Sequence, residues 1–249
     1  MILLGITGAI GHGKTTLAEA LLQAEPDAVH LETGMIVAEV ADELHKNLEE
    51  IPSPDDLAAI NDWLSCLPET LAQVTHKTCS ISDLRLVSAE IASNPSLYEK
   101  LFTHLGNLKA SPELANQSIT TANKAQYRAF LQWLGGYLVK KVDTGIWYDE
   151  LINRLNNTDK QLGIISGVRF PSDGETIHNA GGLIVGITRP EMAETDAQDP
   201  TERERSMIQP DCIVINNAGV DQLALCAQKI LNDIRAKALQ KQYLASKFV

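Results

Sequence analysis

The sequence predicts an α/β fold in which a doubly wound parallel sheet is interrupted by a helical insertion. Short apolar runs bounded by glycine recur along the chain, as is typical of buried parallel strands. Segments with apolar residues at helical spacing separate these runs. The middle of the chain, from about residue 45 to 124, shows no strand-like run, which predicts the insertion.

The first strand and helix show this alternation clearly. Ile2 to Thr7 is an apolar run that leads into glycine, and Leu17 and Leu21 then recur at helical spacing. Glu25-Pro26-Asp27 ends that helix. We predict strands at 2–7 and 28–31 and helices at 14–23 and 34–48.

Prolines divide the middle of the chain into helical pieces. Ser53-Pro54-Asp55-Asp56 predicts one helix start, with a serine N-cap, proline at the first helical position and acids in the first turn. We expect a single domain over residues 1–249, with the insertion at about 45–124.

The second half returns to alternating strands and helices. The predicted strands are 162–166, 183–188 and 212–215, and the predicted helices are 125–141, 172–180 and 221–247. Together with the first half, this order predicts parallel strands joined by helical crossovers.

Composition excludes several function classes. The 249 residues carry a net charge of -11, which disfavours non-specific binding of nucleic acid. No apolar run is long enough to cross a membrane and the start lacks a signal-peptide pattern, so we expect a cytoplasmic protein. The four cysteines and six histidines show no metal-ligand spacing, so we predict no structural metal.

The motif with the clearest chemistry is Gly8-Ala9-Ile10-Gly11-His12-Gly13-Lys14-Thr15, which fits the phosphate-binding loop pattern G-x-x-x-x-G-K-[ST]. A predicted strand precedes it and a predicted helix follows it, as that loop requires. Its backbone N–H groups would hold ATP phosphates, Lys14 would reach the β- and γ-phosphates, and the Thr15 hydroxyl would bind Mg²⁺. The predicted nucleotide-binding residues are Gly8, Gly11, His12, Gly13, Lys14, Thr15 and Thr16.

Three arginines are candidates for a second phosphate. Arg169 and Arg189 each follow a predicted strand, and the carboxyl ends of parallel strands line the ligand crevice. An arginine fork binds two phosphate oxygens at once. The alternative is a surface salt bridge for each, and Arg128, on a predicted helix, is an exposed charge on spacing alone.

Several further sequence blocks follow one another along the chain. They are Arg128 with Leu131-Gln132-Trp133-Leu134-Gly135, Asp143 with Trp147, Ser166-Gly167-Val168-Arg169-Phe170-Pro171, Gly181-Gly182 before an apolar run, and Arg189-Pro190. With the glycine loop, these blocks resemble the phage and bacterial deoxynucleoside monophosphate kinase family of P-loop nucleotide kinases. The resemblance covers residues 1–24 and about 125–232.

The resemblance implies a P-loop kinase-like fold and transfer of the ATP γ-phosphate to a (deoxy)nucleoside monophosphate. It implies Lys14, Arg128 and Arg169 as catalytic residues. The segment around Thr33 is similar to the acceptor-binding segment of adenylate-type kinases. The implied acceptor-binding residues are Thr33, Arg128, Gln132, Arg169 and Arg189, and the insertion is implied to help select the base.

The chain also departs from the family pattern. Gly167 stands where the family has an aspartate beside the metal, and Asp143, Asp173 and Glu32 are candidates to replace it. Thr201-Glu202 matches the family's Ser-Glu pair only weakly.

Other functions stay open on the sequence. The alternatives are another small-molecule P-loop kinase such as a dephospho-coenzyme A kinase, another NTPase, or a nucleotide-binding regulator that has lost catalysis. We expect small nucleotide partners, no nucleic acid and no membrane. A homodimer is one of the states that the sequence allows.

Overall fold

The computed structural model describes residues 1–9, 11–120, 122–192, 204–217 and 219–246, of which 237–246 by backbone alone. The chain divides into two compact units. The core unit comprises Met1–Glu32 and Leu151–Val249, and the inserted unit comprises Thr33–Glu150. Thr201 and Glu202 lie outside the described residues.

The strands of the described chain are β1 (Ile2–Thr7), β2 (Ala28–Glu32), β3 (Leu162–Val168), β4 (Leu183–Thr188) and β5 (Cys212–Ile215). The helices are α1 (Lys14–Ala24), α2 (Thr33–Lys46), α3 (Leu57–Trp63), α4 (Leu67–Thr75), α5 (Ser88–Ser93), α6 (Pro95–Ala110), α7 (Arg128–Lys141), α8 (Ile146–Asn156), α9 (Pro171–Asn179) and α10 (Val220–Ser246). Two 3-10 turns, Leu64–Cys66 and Pro112–Asn116, join them.

The core unit is a five-stranded sheet in the order β2-β3-β1-β4-β5, and all of its pairings are parallel. Side chains of a strand alternate between its two faces. Leu4 and Ile6 point into a fully buried core that α1 and α10 share, through Leu17 and Leu231 among others. The opposite face is covered by α9, because a Cβ on Gly5 would lie only 2.7 Å from Ile177 Cδ1. Helices on both faces confirm the predicted doubly wound α/β fold.

One irregularity interrupts the sheet beside its centre. Ile6 pairs with Ser166, but Thr7 pairs with Val168, so Gly167 is an extra residue on β3. Gly167 has φ of +88°, the left-handed conformation typical of a bulge glycine. With this bulge, β3 continues to Val168, two residues beyond the end that the sequence predicted.

Within the described residues the inserted unit contains helices and turns but no strand, as its sequence pattern predicted. Its core is aromatic, and Tyr98, Phe130, Trp133 and Tyr137 are fully buried. The helix start predicted at Ser53 is wrong, because α3 begins at Leu57. The expectation of a single domain over residues 1–249, with an insertion at about 45–124, stays a prediction.

Candidate functional site

The glycine loop follows β1 in the core unit, and its backbone conformation explains its glycines. Gly13 has φ of +102°, which side chains rarely adopt. A Cβ on Gly13 would lie 2.7 Å from Asn216 Nδ2, and a Cβ on Gly8 would lie 2.5 Å from the Ile187 carbonyl oxygen. The loop therefore packs directly onto the ends of β4 and β5, at a separation that only glycine permits.

Lys14 begins α1 and bends back over the loop. Its ammonium donates to the carbonyl oxygens of Gly8 at 2.7 Å and Ala9 at 2.9 Å. The N-cap residue of α1 is Gly13, which has no side chain to cap the first helical N–H groups. Those N–H groups and the lysine form a positive site suited to phosphate oxygens. Thr15, the predicted metal ligand, is exposed beside them, and Thr16 is half-buried.

His12 is held inside the core unit and is only 5% exposed. Its Nδ1 accepts a long hydrogen bond of 3.4 Å from the backbone N–H of Arg189. Its carbonyl oxygen accepts from Asn216 Nδ2 at 2.9 Å. Sequence reasoning missed Asn216, although its position directly after a predicted strand could have placed it at this edge of the sheet.

Arg169 and Arg189 follow β3 and β4, the two strands that flank β1. Both residues are exposed. The backbone N–H groups of Arg169 and Phe170 donate to Asp173 Oδ2 at 3.0 and 2.8 Å. Burial raises the pKa of Asp173 to about 6, although these hydrogen bonds oppose the shift. Asp173 thus fixes the turn that carries Arg169.

The carboxylate that the family pattern expects at position 167 has three predicted replacements, which differ in their surroundings. Asp173 accepts hydrogen bonds from two backbone N–H groups of the turn into α9. Asp143, in the inserted unit, accepts from the Gly145 N–H at 2.8 Å and pairs with Lys77 at 3.1 Å. Glu32 ends β2 at the carboxyl edge of the sheet.

Glu32 belongs to a short polar chain between β2 and β3. The buried Ser166 hydroxyl donates to Glu32 Oε2 at 3.5 Å and lies 2.7 Å from His30 Nε2. Burial lowers the pKa of His30 and outweighs the opposing effect of Glu32. Glu32 and the exposed Thr15 hydroxyl each offer an oxygen atom of the kind that Mg²⁺ takes, and that ion needs few protein oxygens because it keeps several waters.

The remaining predicted residues belong to the inserted unit. Thr33 is the first residue of α2, and Arg128 is the first residue of α7. Arg128 and Gln132 are both exposed and lie one turn apart, so one ligand could contact both. Trp147, which belongs to a family-like block, is buried and donates to the Gly135 carbonyl oxygen at 3.1 Å, which is a packing role.

Two features are absent from the part of the chain that the structure describes. Within the ranges given above, no group of three or more histidines, cysteines, aspartates or glutamates is arranged to hold a metal ion. No helix in the same ranges combines the length and the apolar character needed to cross a membrane.

The parallel sheet with helices on both faces, carrying a glycine loop after its central strand, defines a protein with the P-loop kinase fold. A family model described as deoxynucleotide monophosphate kinase matches residues 63–226, which is more than half of the chain, and the chain belongs to that family. A protein of Acanthamoeba polyphaga mimivirus, provisionally named a deoxynucleotide monophosphate kinase, is 22% identical over 237 residues. That similarity covers 89% of this chain and 92% of the viral protein. The kinase family predicted from the sequence blocks is thereby confirmed.

Proposed function

We propose that this chain transfers the γ-phosphate of ATP to a deoxynucleoside monophosphate, giving ADP and a deoxynucleoside diphosphate. The observation that carries the proposal is the glycine loop packed against the ends of β4 and β5, with Lys14 and Thr15 beside the uncapped start of α1. The family supports a nucleotide substrate and a phosphotransferase reaction. We place the reaction in the cytoplasm, with small nucleotides as its partners.

On the donor side, the backbone N–H groups of the loop bind the phosphates of ATP, and Lys14 supplies a positive charge. In this structure the Lys14 ammonium donates to two loop carbonyl oxygens, and a phosphate oxygen can replace them as a stronger acceptor because it is itself negatively charged. Thr15, together with water and the nucleotide, would hold Mg²⁺, which would supply further positive charge against the transferring group. Glu32 is the candidate to orient a water of that ion.

On the acceptor side, Arg169 is the proposed phosphate-binding residue of the core unit, and Arg128 is that of the inserted unit. Gln132, Thr33 and Arg189 are the proposed further contacts. Arginine suits this task because its fork binds two oxygens of one phosphate. The acceptor oxygen is already ionised at neutral pH, so the reaction needs charge neutralisation and alignment rather than a general base.

Replacing Lys14 tests the donor half of the proposal. Lys14→Ala should reduce phosphoryl transfer by about 100-fold or more, because a cation that stabilises the transition state is lost. The measurement is the rate of ADP formation with a deoxynucleotide acceptor, together with circular dichroism to verify folding. Lys229→Ala removes an exposed lysine of α10 and is the matched control. A folded Lys14→Ala protein as active as that control would refute the assignment.

A further inference from the structure

Asn216 joins β5 to the glycine loop. It follows the last residue of β5 and is only 7% exposed. Its backbone N–H donates to the Thr188 carbonyl oxygen at 2.7 Å, which continues the pairing of β4 with β5 past their last partners. Its side-chain amide donates to the carbonyl oxygen of His12 at 2.9 Å. Asn216 is therefore fixed by the sheet and fixes the loop in turn.

This hydrogen bond sets the direction of one peptide group in the loop. The peptide between His12 and Gly13 is trans, like all peptide bonds of the described residues, so its C=O and N–H point in opposite directions. With the carbonyl of His12 held toward Asn216, the N–H of Gly13 faces away from it. Turning the peptide over would remove this donor from the loop and leave the buried Asn216 amide without its acceptor.

The surrounding contacts show that this part of the loop is closely fitted. A Cβ on Gly13 would approach Asn216 Nδ2 to 2.7 Å, so the amide packs against the glycine as well as bonding to its neighbour. The ring of His12 accepts from the Arg189 backbone on the adjacent strand end. Among these contacts, the Asn216 amide is the one that a single side-chain substitution removes cleanly.

We propose that Asn216 is a positioning residue for triphosphate binding, which presets the His12–Gly13 peptide so that its N–H is available to a phosphate oxygen. This inference rests on the proposed function, since it assigns the loop to a triphosphate. Asn216 acts through the loop backbone, by its hydrogen bond to the His12 carbonyl oxygen.

The test measures binding to the full chain of two probes, ATP and inorganic tripolyphosphate, by calorimetry. Asn216→Ala should weaken both by the same factor, about tenfold, because one hydrogen bond that orients a buried peptide is lost. The acceptor KM should stay unchanged while the ATP KM rises. Asn217→Ala, at the exposed neighbouring asparagine, is the matched control.

The outcomes separate the inference from the function on which it rests. If the wild-type protein binds neither probe, both fail. If the wild type binds both probes and Asn216→Ala binds them equally well, the positioning role alone is overturned. A loss for ATP without a loss for tripolyphosphate would also overturn it, because it would locate the effect at the nucleoside.

A wild-type measurement decides the question if Asn216→Ala does not fold. In ¹⁵N-labelled protein, the Asn216 side-chain amide protons should exchange slowly with water and shift when tripolyphosphate is added, since they bond to the loop. Fast exchange that tripolyphosphate does not alter would contradict the proposal.

Discussion

At the scale of single residues, Gly167 has a backbone conformation that limits which side chains the position accepts. Its φ is +88°, yet a Cβ built there would meet no atom within 4 Å. Space is therefore available for a side chain, and conformational strain is the cost, about 1–2 kcal/mol for a residue other than glycine.

Gly167→Asp and Gly167→Ala together separate strain from charge. Both should lower the free energy of unfolding by about 1–2 kcal/mol, because both force a Cβ into the left-handed region. We expect Gly167→Asp to show no more Mg²⁺-dependent transfer than the wild type. Chemical unfolding and transfer assays of the two variants provide the measurement, and alanine is the control for aspartate. A large gain in activity for aspartate alone would show that the chain lacks a carboxylate it needs.

The sequence was informative about residues whose chemistry is local. The glycine loop could be recognised because its letters and its strand-to-helix context suffice, and Arg169 and Arg189 lie at strand ends as predicted. The contacts of Asn216 with the loop and of Ser166 with His30 could not be predicted. They join residues far apart in the chain, and they depend on which strands become neighbours.

At the scale of secondary-structure elements, the apolar patterns located the strands and helices well and their ends less well. Ser53-Pro54-Asp55-Asp56 has every local feature of a helix start, but Asp56 is the N-cap of α3 and accepts from the Ala59 N–H at 3.0 Å. Several residues of one stretch can cap, and tertiary packing selects among them. A glycine within a strand-like run is the sequence signal that the bulge at Gly167 would have given.

Helix α7 offers a matched test of the acceptor side. Arg128, Gln132 and Lys140 are all exposed and are spaced by multiples of four residues. Arg128→Ala should raise the acceptor KM and lower kcat by about tenfold, because a charge-assisted contact to phosphate is lost, while ATP affinity stays unchanged. Lys140→Ala removes a cation from the same helix and should leave both unchanged. Equal effects of the two substitutions would show that Arg128 contributes only to the general positive charge of the helix and does not contact the acceptor phosphate.

At the scale of the whole molecule, the sheet order and the buried groups of the inserted unit were beyond the sequence. The strands follow the chain as β1 to β5 but lie as β2-β3-β1-β4-β5, and no local pattern encodes that order. The inserted unit buries His45 and His104 with their Nε2 atoms 3.0 Å apart, both stacked on Phe130. The two histidines lie on different helices, α2 and α6, and no local sequence pattern predicts that they become neighbours.

This histidine pair predicts acid sensitivity. Burial lowers the pKa of His45 to about 4 against the opposing charge of Asp42, and burial together with the charge of His45 lowers the pKa of His104 to about 3. Both pKa values lie below the unfolded value of about 6.5, so the unfolded chain binds more protons at mildly acidic pH. Their contribution to stability is complete above about pH 6.5 and is lost as the pH falls through the folded pKa values of about 4 for His45 and about 3 for His104.

The measurement is the free energy of unfolding against pH for the wild type and for the double variant His45→Leu/His104→Phe. Asp173 contributes with the opposite sign, since its raised pKa of about 6 makes stability fall as the pH rises through that value. That contribution is common to both proteins and cancels in their difference. The free energy of unfolding of the wild type minus that of the double variant should fall as the pH falls. A difference that does not change with pH would contradict the assignment of both histidines as buried and neutral.

The central claim, phosphoryl transfer from ATP to a deoxynucleoside monophosphate, is tested most directly by product analysis. Purified protein is incubated with ATP, Mg²⁺ and each common nucleoside and deoxynucleoside monophosphate in turn, with a reaction lacking acceptor as the control. We predict equal amounts of ADP and a deoxynucleoside diphosphate, formed only when the acceptor is present. ATP binding without phosphorylation of any acceptor, or ADP formation that does not depend on the acceptor, would contradict the claim.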